Sequence, residues 1–432
     1  MTLEGSRVLY ISYNGMLDPL GQSQVLPYLR GLSKKGVFFT LLSFERQGAF
    51  EPAGVTRCKA LQVELSERNI EWHWLRYHQR PSLPATVYDV TAGIRTAQKL
   101  IKQNHIEMVH ARAQIPATIA LALKKRYGIK MIFDIRGLMA EEYADANHWK
   151  QGSIPYRLTK AMETRALAAA DGVVTLTRKI WPVIREWKGL RGRKVVHEVV
   201  PCCTDLELFR FRAEDRERRR KDLGLEGKFV VVYGGSIDGW YLTERMAEFF
   251  SHLKTARQDA HFLWLTHGSH ERVRQLMRAK GLSDSDYTVI STSSRDVSSY
   301  LSASDAGLAF IKPSFSKQAS SPTKYGEYLA CGLPLIINSG VGDSDELMMT
   351  EGVGVLVSEF NNSEYARAAL AVDALTRQPS QTRERTRGVA ERLFDVRGVG
   401  VESYARLYEK TLGRSPAGSE GPAFFEDAGH AP

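Results

Sequence analysis

The sequence predicts an α/β protein with two doubly wound domains, each built on a parallel sheet with helices on both faces. Short apolar segments alternate with helical segments along most of the 432 residues, and such alternation is typical of parallel sheets. A chain of this length exceeds what one hydrophobic core usually supports. The order strand, glycine-containing loop, helix opens a doubly wound domain, and it occurs from residue 7 and again from residue 228.

In the first domain, the continuous apolar run inside residues 7–12 predicts a buried strand. Residues 22–35 are predicted to form one helix, because Val25, Leu29 and Leu32 fall on one stripe. In the third strand, the segment Trp72-His73-Trp74 is predicted to be exposed to solvent. The remaining predicted strands are 37–44, 71–75, 106–110, 130–134, 172–176 and 194–200, and the remaining helices are 53–68, 85–104, 115–127 and 154–170.

The second domain repeats this rhythm. Its predicted strands are 228–233, 260–266, 287–291, 307–310, 335–337 and 353–357, and its helices are 242–253, 271–280, 297–302, a short one before Gly332, 363–376, 382–393 and 398–412. We expect domains at 1–205 and 206–395, with a surface connection over the charged run 210–221. A final helical segment, 396–412, follows, and residues 413–432, rich in Gly, Pro, Ala and Ser, are expected to be disordered.

Composition limits the class of protein. No apolar run reaches the length needed to span a bilayer, and the N-terminus enters a strand without a signal-peptide layout. The four cysteines, Cys58, Cys202, Cys203 and Cys331, form neither a disulfide framework nor a metal-ligand pattern. These observations predict a cytoplasmic protein.

Charge is unevenly distributed. The formal net charge is +10, and residues 1–200 contain 30 Lys and Arg against 17 Asp and Glu. A basic half suits an anionic partner such as a lipid phosphate or the inner face of a membrane. Nucleic acid is not expected as a partner, since the sequence has no zinc-finger, zipper or RNA-binding pattern. A soluble basic enzyme with dispersed charge remains an equal alternative to peripheral membrane contact.

The segment 320–337 predicts a loop, a short helix and a buried strand. Pro322 suits the first turn of a helix, whereas Gly332 and Pro334 suit its end. The following apolar run, 335–337, suits a strand that is covered on both faces.

The beginning of this helix carries the groups of a nucleotide site. The free amides of Thr323, Lys324 and Tyr325 would point into the loop and attract an anion. Lys324 adds a positive charge, and Glu327 can accept hydrogen bonds from two hydroxyls. Phosphate donors beside such a carboxylate predict a nucleotide-sugar pocket. The alternative is that Lys324 and Glu327 merely pair on a solvated face.

Two strand ends in the first domain carry further polar groups. His110 and Arg112 end one strand, and Asp134 and Arg136 end the next. The carboxyl edge is where a doubly wound domain binds its ligand. Arg136 could pair with an acceptor phosphate or with Glu141 or Glu142, or it could form a structural pair with Asp134. Farther along, Thr177 is placed to cap a helix that would have Arg178 in its first turn.

Segment 320–337 resembles the nucleotide-binding helix of the retaining glycosyltransferases of family 4, also called glycosyl transferases group 1, which have the GT-B fold. Glu327 and the Leu-Ala-x-Gly-x-Pro stretch at 329–334 match the second half of that motif. The first Glu of the motif is replaced by Ala319, which puts a contact to the donor sugar in doubt. Pro201, Asp205 and Phe209 match a segment that precedes the domain hinge in the family.

The resemblance implies two Rossmann-like domains facing a cleft, with a C-terminal helix that crosses back to the first domain. It implies transfer of a sugar from a nucleoside-diphosphate sugar to a sugar or lipid-linked acceptor, with retention of configuration, in the synthesis of a surface polysaccharide or glycolipid. The implied donor-binding residues are Gly21, Gln22, Arg178, Gly235, Ser236, Thr323, Lys324 and Glu327, and the candidate catalytic residues are His110, Asp134 and Arg136.

No metal or cofactor is predicted. The triplets at 284–286 and 343–345 have the Asp-x-Asp form that holds a metal in other glycosyltransferases. Here one lies in a turn and the other is placed to cap a helix, so both are interpreted as structural.

Three other interpretations stay open. A sugar-nucleotide epimerase of the same fold would need no acceptor. A catalytically silent GT-B subunit would bind a partner instead, and Ala319 keeps this interpretation open. A pair of phosphate-binding Rossmann domains with unrelated chemistry is the third.

Overall fold

The computed structural model describes residues 3–80 and 82–414, and in this part of the chain it contains two parallel sheets. The first sheet has the order β3-β2-β1-β4-β5-β6-β7. Its strands are β1 (Arg7–Ser12), β2 (Phe38–Glu45), β3 (Ile70–Arg76), β4 (Met108–Arg112), β5 (Lys130–Asp134), β6 (Gly172–Thr175) and β7 (Val196–Val199).

The second sheet has the order β10-β9-β8-β11-β12-β13, which repeats the topology of the first. Its strands are β8 (Phe229–Gly234), β9 (Ala260–Leu265), β10 (Tyr287–Ile290), β11 (Ala306–Ala309), β12 (Leu335–Asn338) and β13 (Gly354–Val357). Strand order reverses between β1 and β4 and between β8 and β11, and ligands bind at such reversals in open α/β sheets. The predicted domain boundary at 205/206 falls in the segment that joins the sheets.

Helices connect the strands of both sheets. They are α1 (Pro19–Gln24), α2 (Leu26–Ser33), α3 (Pro52–Ser66), α4 (Ser82–Asn104), α5 (Gln114–Tyr127), α6 (Met139–Asp145), α7 (Ile154–Ala169), α8 (Trp181–Ile184), α9 (Ala213–Leu223), α10 (Thr243–Ala256), α11 (His270–Ala279), α12 (Val297–Ser302), α13 (Thr323–Ala330), α14 (Ser344–Glu351), α15 (Asn362–Thr376), α16 (Pro379–Leu393) and α17 (Glu402–Leu412).

Both faces of the first sheet are covered. In β1, Val8 and Tyr10 belong to a core that also contains residues of α2 and α17, whereas Leu9 and Ile11 pack with residues of α4, α5 and α7. Because successive side chains of a strand point to opposite faces, this alternation confirms a three-layer domain. The second domain has a single buried cluster on its own sheet.

The last helix packs on the first domain, as the resemblance implied. Tyr404 and Tyr408 of α17 lie in the core of the first sheet, and Lys410 pairs with Glu198 of β7 at 3.1 Å. The helix begins at Glu402 rather than Gly398, since a π-helical turn occupies Val396–Val401. Of the predicted disordered tail, residues 415–432 lie outside the described part of the chain.

The prediction of one helix over 22–35 is wrong. The chain breaks at Val25, whose φ of −128° and ψ of −65° are not helical. Pro27 follows in the first turn of α2, where its missing N–H and its ring exclude a continuous helix.

Other local predictions also fail. Trp72 is buried, and its indole N–H donates to Ser43 at 2.9 Å. The charged run 210–221 is mostly helix α9 rather than a loop, but it lies on the surface between the two sheets, as predicted, since α9 buries none of its residues. Arg216 and Arg220 each pair with Asp305 at 2.6 Å.

Thr177 does not cap a helix. Its hydroxyl donates to the carbonyl oxygen of Gln318 in the second domain at 2.7 Å. Helix α8 begins later, after Ile180. Within residues 3–80 and 82–414, no helix is both long and apolar enough to cross a membrane.

Candidate functional site

A cavity of about 1140 Å³ lies between the two domains. The first domain lines it with residues that follow β1, β3, β4, β5, β6 and β7, and the second lines it with residues that follow β8 and β11. These are the carboxyl edges at which both strand orders reverse. We call this cavity the interdomain cleft, and its polar or aromatic lining includes Asn14, Gln24, Arg112, Arg136, Trp240, Tyr241, Lys317 and the segment 320–323.

The segment that precedes α13 is tied to the first domain. The backbone N–H of Ser316 donates to Asp145 at 3.0 Å, and the backbone N–H of Cys202 donates to the Ser321 hydroxyl at 3.1 Å. Lys317 pairs with Glu142 at 3.0 Å. These contacts hold the N-terminal end of α13 against the cleft, and Thr323 is part of the lining.

Lys324 is the most unusual residue of the site. Its side chain is buried, and its Nζ has no hydrogen-bond partner among the described residues. The ammonium lies 3.5 Å from the centre of the Tyr241 ring and 4.7 Å from that of Tyr233. Burial lowers the pKa of Lys324 to about 7, against the opposing charge of Glu327. Buried polar groups normally have a hydrogen-bond partner, and the Lys324 ammonium lacks one in the described chain.

Glu327 lies one turn after Lys324 and is partly buried. Burial raises the pKa of Glu327 to about 7, although the charge of Lys324 favours ionisation. The interpretation of the two residues as a pair on a solvated face is wrong, because Lys324 is buried and its Nζ has no partner in the described chain.

The second glycine loop packs against Lys324. A Cβ at Gly235 would lie 2.9 Å from Lys324 Nζ, and φ of Gly235 is +152°. The neighbouring N–H of Gly234 donates to the Tyr328 hydroxyl at 2.8 Å, so helix α13 holds this loop directly. Ser236 is exposed, and its carbonyl accepts from the Tyr233 hydroxyl. The structure thus brings the predicted residues Gly235, Lys324 and Glu327 together, behind Tyr241 and Thr323 of the lining, although none of the three lines the cleft itself.

Gly21 and Gln22 do not line the cleft. A Cβ at Gly21 would lie 2.2 Å from the carbonyl oxygen of Gly15, so close packing in the first loop accounts for this glycine. The Gln22 amide donates to the carbonyl oxygen of Met16 at 2.6 Å. Instead, Gln24 lies at the cleft.

His110 and Asp134 lie behind the cleft, in a buried network. Tyr404 donates to Asp134 at 2.7 Å, His110 Nε2 lies 3.4 Å from Asp134, and His110 Nδ1 lies 2.8 Å from the Tyr408 hydroxyl. Burial opposes ionisation of Asp134, but the charge of Arg136 and the hydrogen bond with His110 lower the pKa of Asp134 to about 2.

The tautomer of His110 follows from these contacts. Burial lowers the pKa of His110, so the ring is neutral. The Asp134 carboxylate can only accept hydrogen bonds, so Nε2 of His110 carries the proton and Nδ1 accepts from Tyr408. Neither His110 nor Asp134 reaches the cleft, and their contacts attach α17 to the first sheet.

Arg136 does reach the cleft. Its guanidinium lies 3.8 Å from Asp134, and Nη2 contacts Cys202 Sγ at 3.3 Å and Gln24 Oε1 at 3.5 Å. Of the alternatives for Arg136, pairing with Glu141 or Glu142 does not occur, since these carboxylates pair with lysines, whereas the structural pair with Asp134 is present.

Two basic residues of the lining were not among the predicted site residues. Arg112 is buried, and Nη1 donates to Asn14 Oδ1 at 3.0 Å. The position of Arg112 at the end of a strand could have indicated that its side chain lines the cleft. Lys317 is buried beneath Trp240, with 3.8 Å between Nζ and the ring centre. Its only local signal was its position shortly before the motif at 320–337.

Arg178 lies at the edge of the domain interface rather than in the cleft. Its guanidinium pairs with Glu346 at 3.2 Å, and its backbone N–H donates to Asp343 at 2.8 Å. The Asp343 carboxylate also accepts from the N–H of Lys179 at 3.0 Å. These contacts join the two domains.

The two Asp-x-Asp triplets have protein partners. Asp284 pairs with Arg278 and Asp286 with Lys254, both at 2.9 Å. In the second triplet, the Asp343 carboxylate accepts hydrogen bonds from the backbone N–H groups of Arg178 and Lys179. Asp345 accepts one from the N–H of Gly340 at 3.1 Å. Residues 3–80 and 82–414 contain no group of three or more His, Cys, Asp or Glu that could hold a metal ion.

Large apolar side chains are exposed on the first-domain side of the cleft. They belong mainly to the N-terminal ends of α4 and α7, and Ile154 and Leu83 are 76% and 63% exposed. We call this group the apolar wall. It consists of Leu20, Leu83, Val87, Tyr143, Ile154 and Leu158.

Three solved structures illustrate the proteins that share this fold. Sucrose-phosphate synthase from Thermosynechococcus elongatus is 16% identical, with a TM-score of 0.69, over 95% of this chain and all of that one. HepE from Anabaena, in complex with UDP, is 14% identical with a TM-score of 0.68, over 93% of this chain and all of HepE. WaaG, a glycosyltransferase involved in lipopolysaccharide biosynthesis, is 15% identical with a TM-score of 0.67, over 94% of this chain and all of WaaG.

Sequence comparisons agree with the fold. Comparison with curated proteins found no match. Two family models match successive parts of the chain: Glycosyltransferase Family 4 matches residues 22–208, and Glycosyl transferases group 1 matches residues 228–373. The fold is therefore GT-B, and the chain belongs to the group 1 glycosyltransferases of the family 4 type.

Proposed function

We propose that this glycosyltransferase moves a sugar from a nucleoside-diphosphate sugar to an acceptor, with retention of configuration, in the synthesis of a surface polysaccharide or glycolipid. The observation that carries the donor assignment is the buried Lys324 ammonium, which has no partner in the described chain and lies against Gly235. A diphosphate would supply the missing negative charge.

The same group serves the chemistry. Negative charge grows on the nucleoside diphosphate as it leaves, and a preorganised cation in a water-excluded site stabilises this charge without reorganising. The N–H groups of Thr323 and Lys324 support the same anion, whereas the N–H of Tyr325, predicted to be free, donates to the carbonyl oxygen of Pro322 at 3.1 Å. In this scheme Glu327 accepts hydrogen bonds from the ribose, and Thr323 lies beside the phosphates.

The first-domain side of the cleft is proposed to hold the acceptor. Arg112 and Arg136 bring two guanidinium groups to the lining, and the apolar wall continues from it. An anionic head group with an apolar chain is complementary to both features. We therefore propose a lipid-linked acceptor that carries a phosphate, and peripheral contact of the basic first domain with the inner face of the membrane.

A thermal-shift screen without metal tests the donor site. Nucleoside diphosphates and their sugars are added in excess EDTA to wild type, to Glu327→Ala, and to the exposed control Glu346→Ala. A ligand at one hundred times its Kd stabilises the folded protein by about 2.7 kcal/mol. We expect one nucleotide to raise the Tm of wild type and of the control but not that of Glu327→Ala. No shift with any nucleotide would overturn the donor site.

One alternative has an observation in its favour. Ala319, which replaces the first Glu of the family motif, is buried and offers no group to a donor sugar. A catalytically silent GT-B subunit would bind the nucleotide without turnover. Acceptor-dependent release of nucleoside diphosphate distinguishes transfer from this alternative, and it also distinguishes transfer from epimerisation of the donor alone.

A further inference from the structure

A second polar cluster lies at the cleft, away from Lys324. The Asp89 carboxylate on α4 is 1% exposed, and it accepts three hydrogen bonds. The Tyr13 hydroxyl donates at 2.8 Å, the backbone N–H of His78 donates at 3.0 Å, and the ring Nδ1 of His78 lies 2.6 Å away. Both Tyr13 and His78 line the cleft.

This cluster fixes the His78 ring. A carboxylate is an acceptor only, so Nδ1 of His78 carries a proton and Nε2 is the nitrogen left to accept a hydrogen bond. Burial and the hydrogen bond to Asp89 raise the pKa of Tyr13, so its hydroxyl remains a donor. The His78 side chain is 38% exposed, and Nε2 has no hydrogen-bond partner among residues 3–80 and 82–414.

The surroundings of His78 belong to the acceptor side. The ring packs edge to face on Tyr88, with 5.0 Å between the ring centres. Tyr88 follows Val87 of the apolar wall, and Asn14 and Arg112 line the same side of the cleft. An oriented acceptor nitrogen beside apolar and cationic groups is suited to a hydroxyl of a ligand that also has apolar and anionic parts.

We propose that His78 is an acceptor-positioning residue whose Nε2 receives a hydrogen bond from a sugar hydroxyl of the acceptor, with Asp89 and Tyr13 holding the ring. This inference rests on the proposed function and specifies its acceptor: the group next to the apolar chain is a sugar. It adds a recognition role for a segment, between β3 and α4, that the sequence motifs did not indicate.

A purely structural role makes a different prediction. The backbone N–H of His78 already joins the loop to Asp89, and His78→Ala retains that bond. If the ring only stabilises the loop, its removal lowers Tm and leaves ligand binding unchanged. If the ring positions an acceptor, its removal weakens sugar binding whether or not Tm changes.

The chain offers a matched control. His73 also pairs with a carboxylate, with 2.8 Å between Nε2 and Glu71, and its side chain is 33% exposed. It does not line the cleft. His73→Ala therefore removes a comparable imidazole–carboxylate pair from another surface of the same domain.

The test measures binding of hexyl glycosides of glucose, galactose and mannose by saturation-transfer NMR, with a nucleoside diphosphate present. We expect at least one glycoside to bind wild type and His73→Ala, with at least tenfold weaker binding to His78→Ala. His78→Gln, whose amide oxygen can also accept a hydrogen bond, should recover part of the loss. The thermal shift caused by the nucleotide should be equal in all four proteins.

Two outcomes overturn the proposal: His78→Ala binds the glycosides as wild type does, or none of the glycosides binds wild type. Either result leaves the donor site intact if the nucleotide shift persists. Conversely, glycoside binding that depends on His78 in the absence of any nucleotide shift would support His78 and overturn the proposed donor site.

Discussion

Each domain buries a charged group beside the interdomain cleft, and the two groups differ in how their charges are met. In the first domain, Asp134 has Tyr404, His110 and Arg136 around it. In the second, the Lys324 ammonium has aromatic rings, a glycine and the charge of Glu327 near it, but no hydrogen-bond partner in the described chain. Asp134 Oδ1 has no hydrogen-bond partner in the described chain, but the Arg136 guanidinium lies 3.8 Å from it. We infer that a buried charge met by protein charges maintains the architecture, whereas one without such a partner is held for a ligand. The two sites should therefore respond oppositely to neutralisation.

The largest effect is expected at Asp134. Asp134→Ala would leave His110, Tyr404 and Arg136 buried without their common acceptor, and removing one partner of a buried pair costs about 3–5 kcal/mol. The free energy of unfolding, measured with urea, should fall by this amount, in the transition of the first domain. A loss below about 1 kcal/mol would contradict a structural role. Asp171→Ala, which removes a partly exposed carboxylate, is the control.

Neutralising Lys324 should have the opposite sign. Lys324→Met keeps the volume and removes a buried ammonium that has no hydrogen-bond partner in the described chain, so the cost of burying that charge disappears. The unfolding free energy without ligand should stay equal or rise. A clear fall would mean that Lys324 stabilises the fold, and the comparison between the two sites would fail.

The sign of the pH dependence sharpens this comparison. The pKa of Lys324 falls from its ordinary 10.5 to about 7 in the folded protein. Between pH 7 and 10.5 the unfolded chain therefore binds one more proton at this residue than the folded chain, so stability rises with pH across this window. Urea unfolding from pH 7 to 10 should show wild type gaining stability relative to Lys324→Met, and parallel curves would contradict the lowered pKa.

The smallest effect is expected at Arg178. The sequence predicted a donor-binding role, but its guanidinium pairs with Glu346 on the surface, and exposed ion pairs contribute about 0–1 kcal/mol. Arg178→Gln should change the free energy of unfolding by less than about 1 kcal/mol. The Kd for nucleoside diphosphate, measured by titration calorimetry, should change by less than about fivefold. A tenfold loss of nucleotide affinity would restore the original prediction.

The fold was largely predictable because it depends on local periodicity. Strand β5 and helix α12 match their predicted bounds residue for residue. The failures have physical causes that periodicity does not contain. Pro27 interrupts an apolar stripe, and two arginines of α9 pair with Asp305, which is distant in sequence.

The candidate site was predictable only where its residues are close in sequence. Lys324 and Glu327 belong to one motif, and the strand–glycine pattern indicated Gly235. Whether His110 and Asp134 face the cleft depends on Tyr404 and Tyr408, which lie at least 270 residues farther along the chain. No local pattern contains that information, so strand-end position alone suggested catalysis where the structure has a helix contact.

The central claim is that Lys324 is held for a nucleoside diphosphate. The most direct measurement is the Kd of the nucleotide identified in the screen, determined by titration calorimetry in EDTA for wild type and Lys324→Met. We predict at least tenfold weaker binding by the variant, equivalent to about 1.4 kcal/mol or more, while its unfolding free energy is unchanged or higher. Equal affinity of the two proteins would contradict the claim.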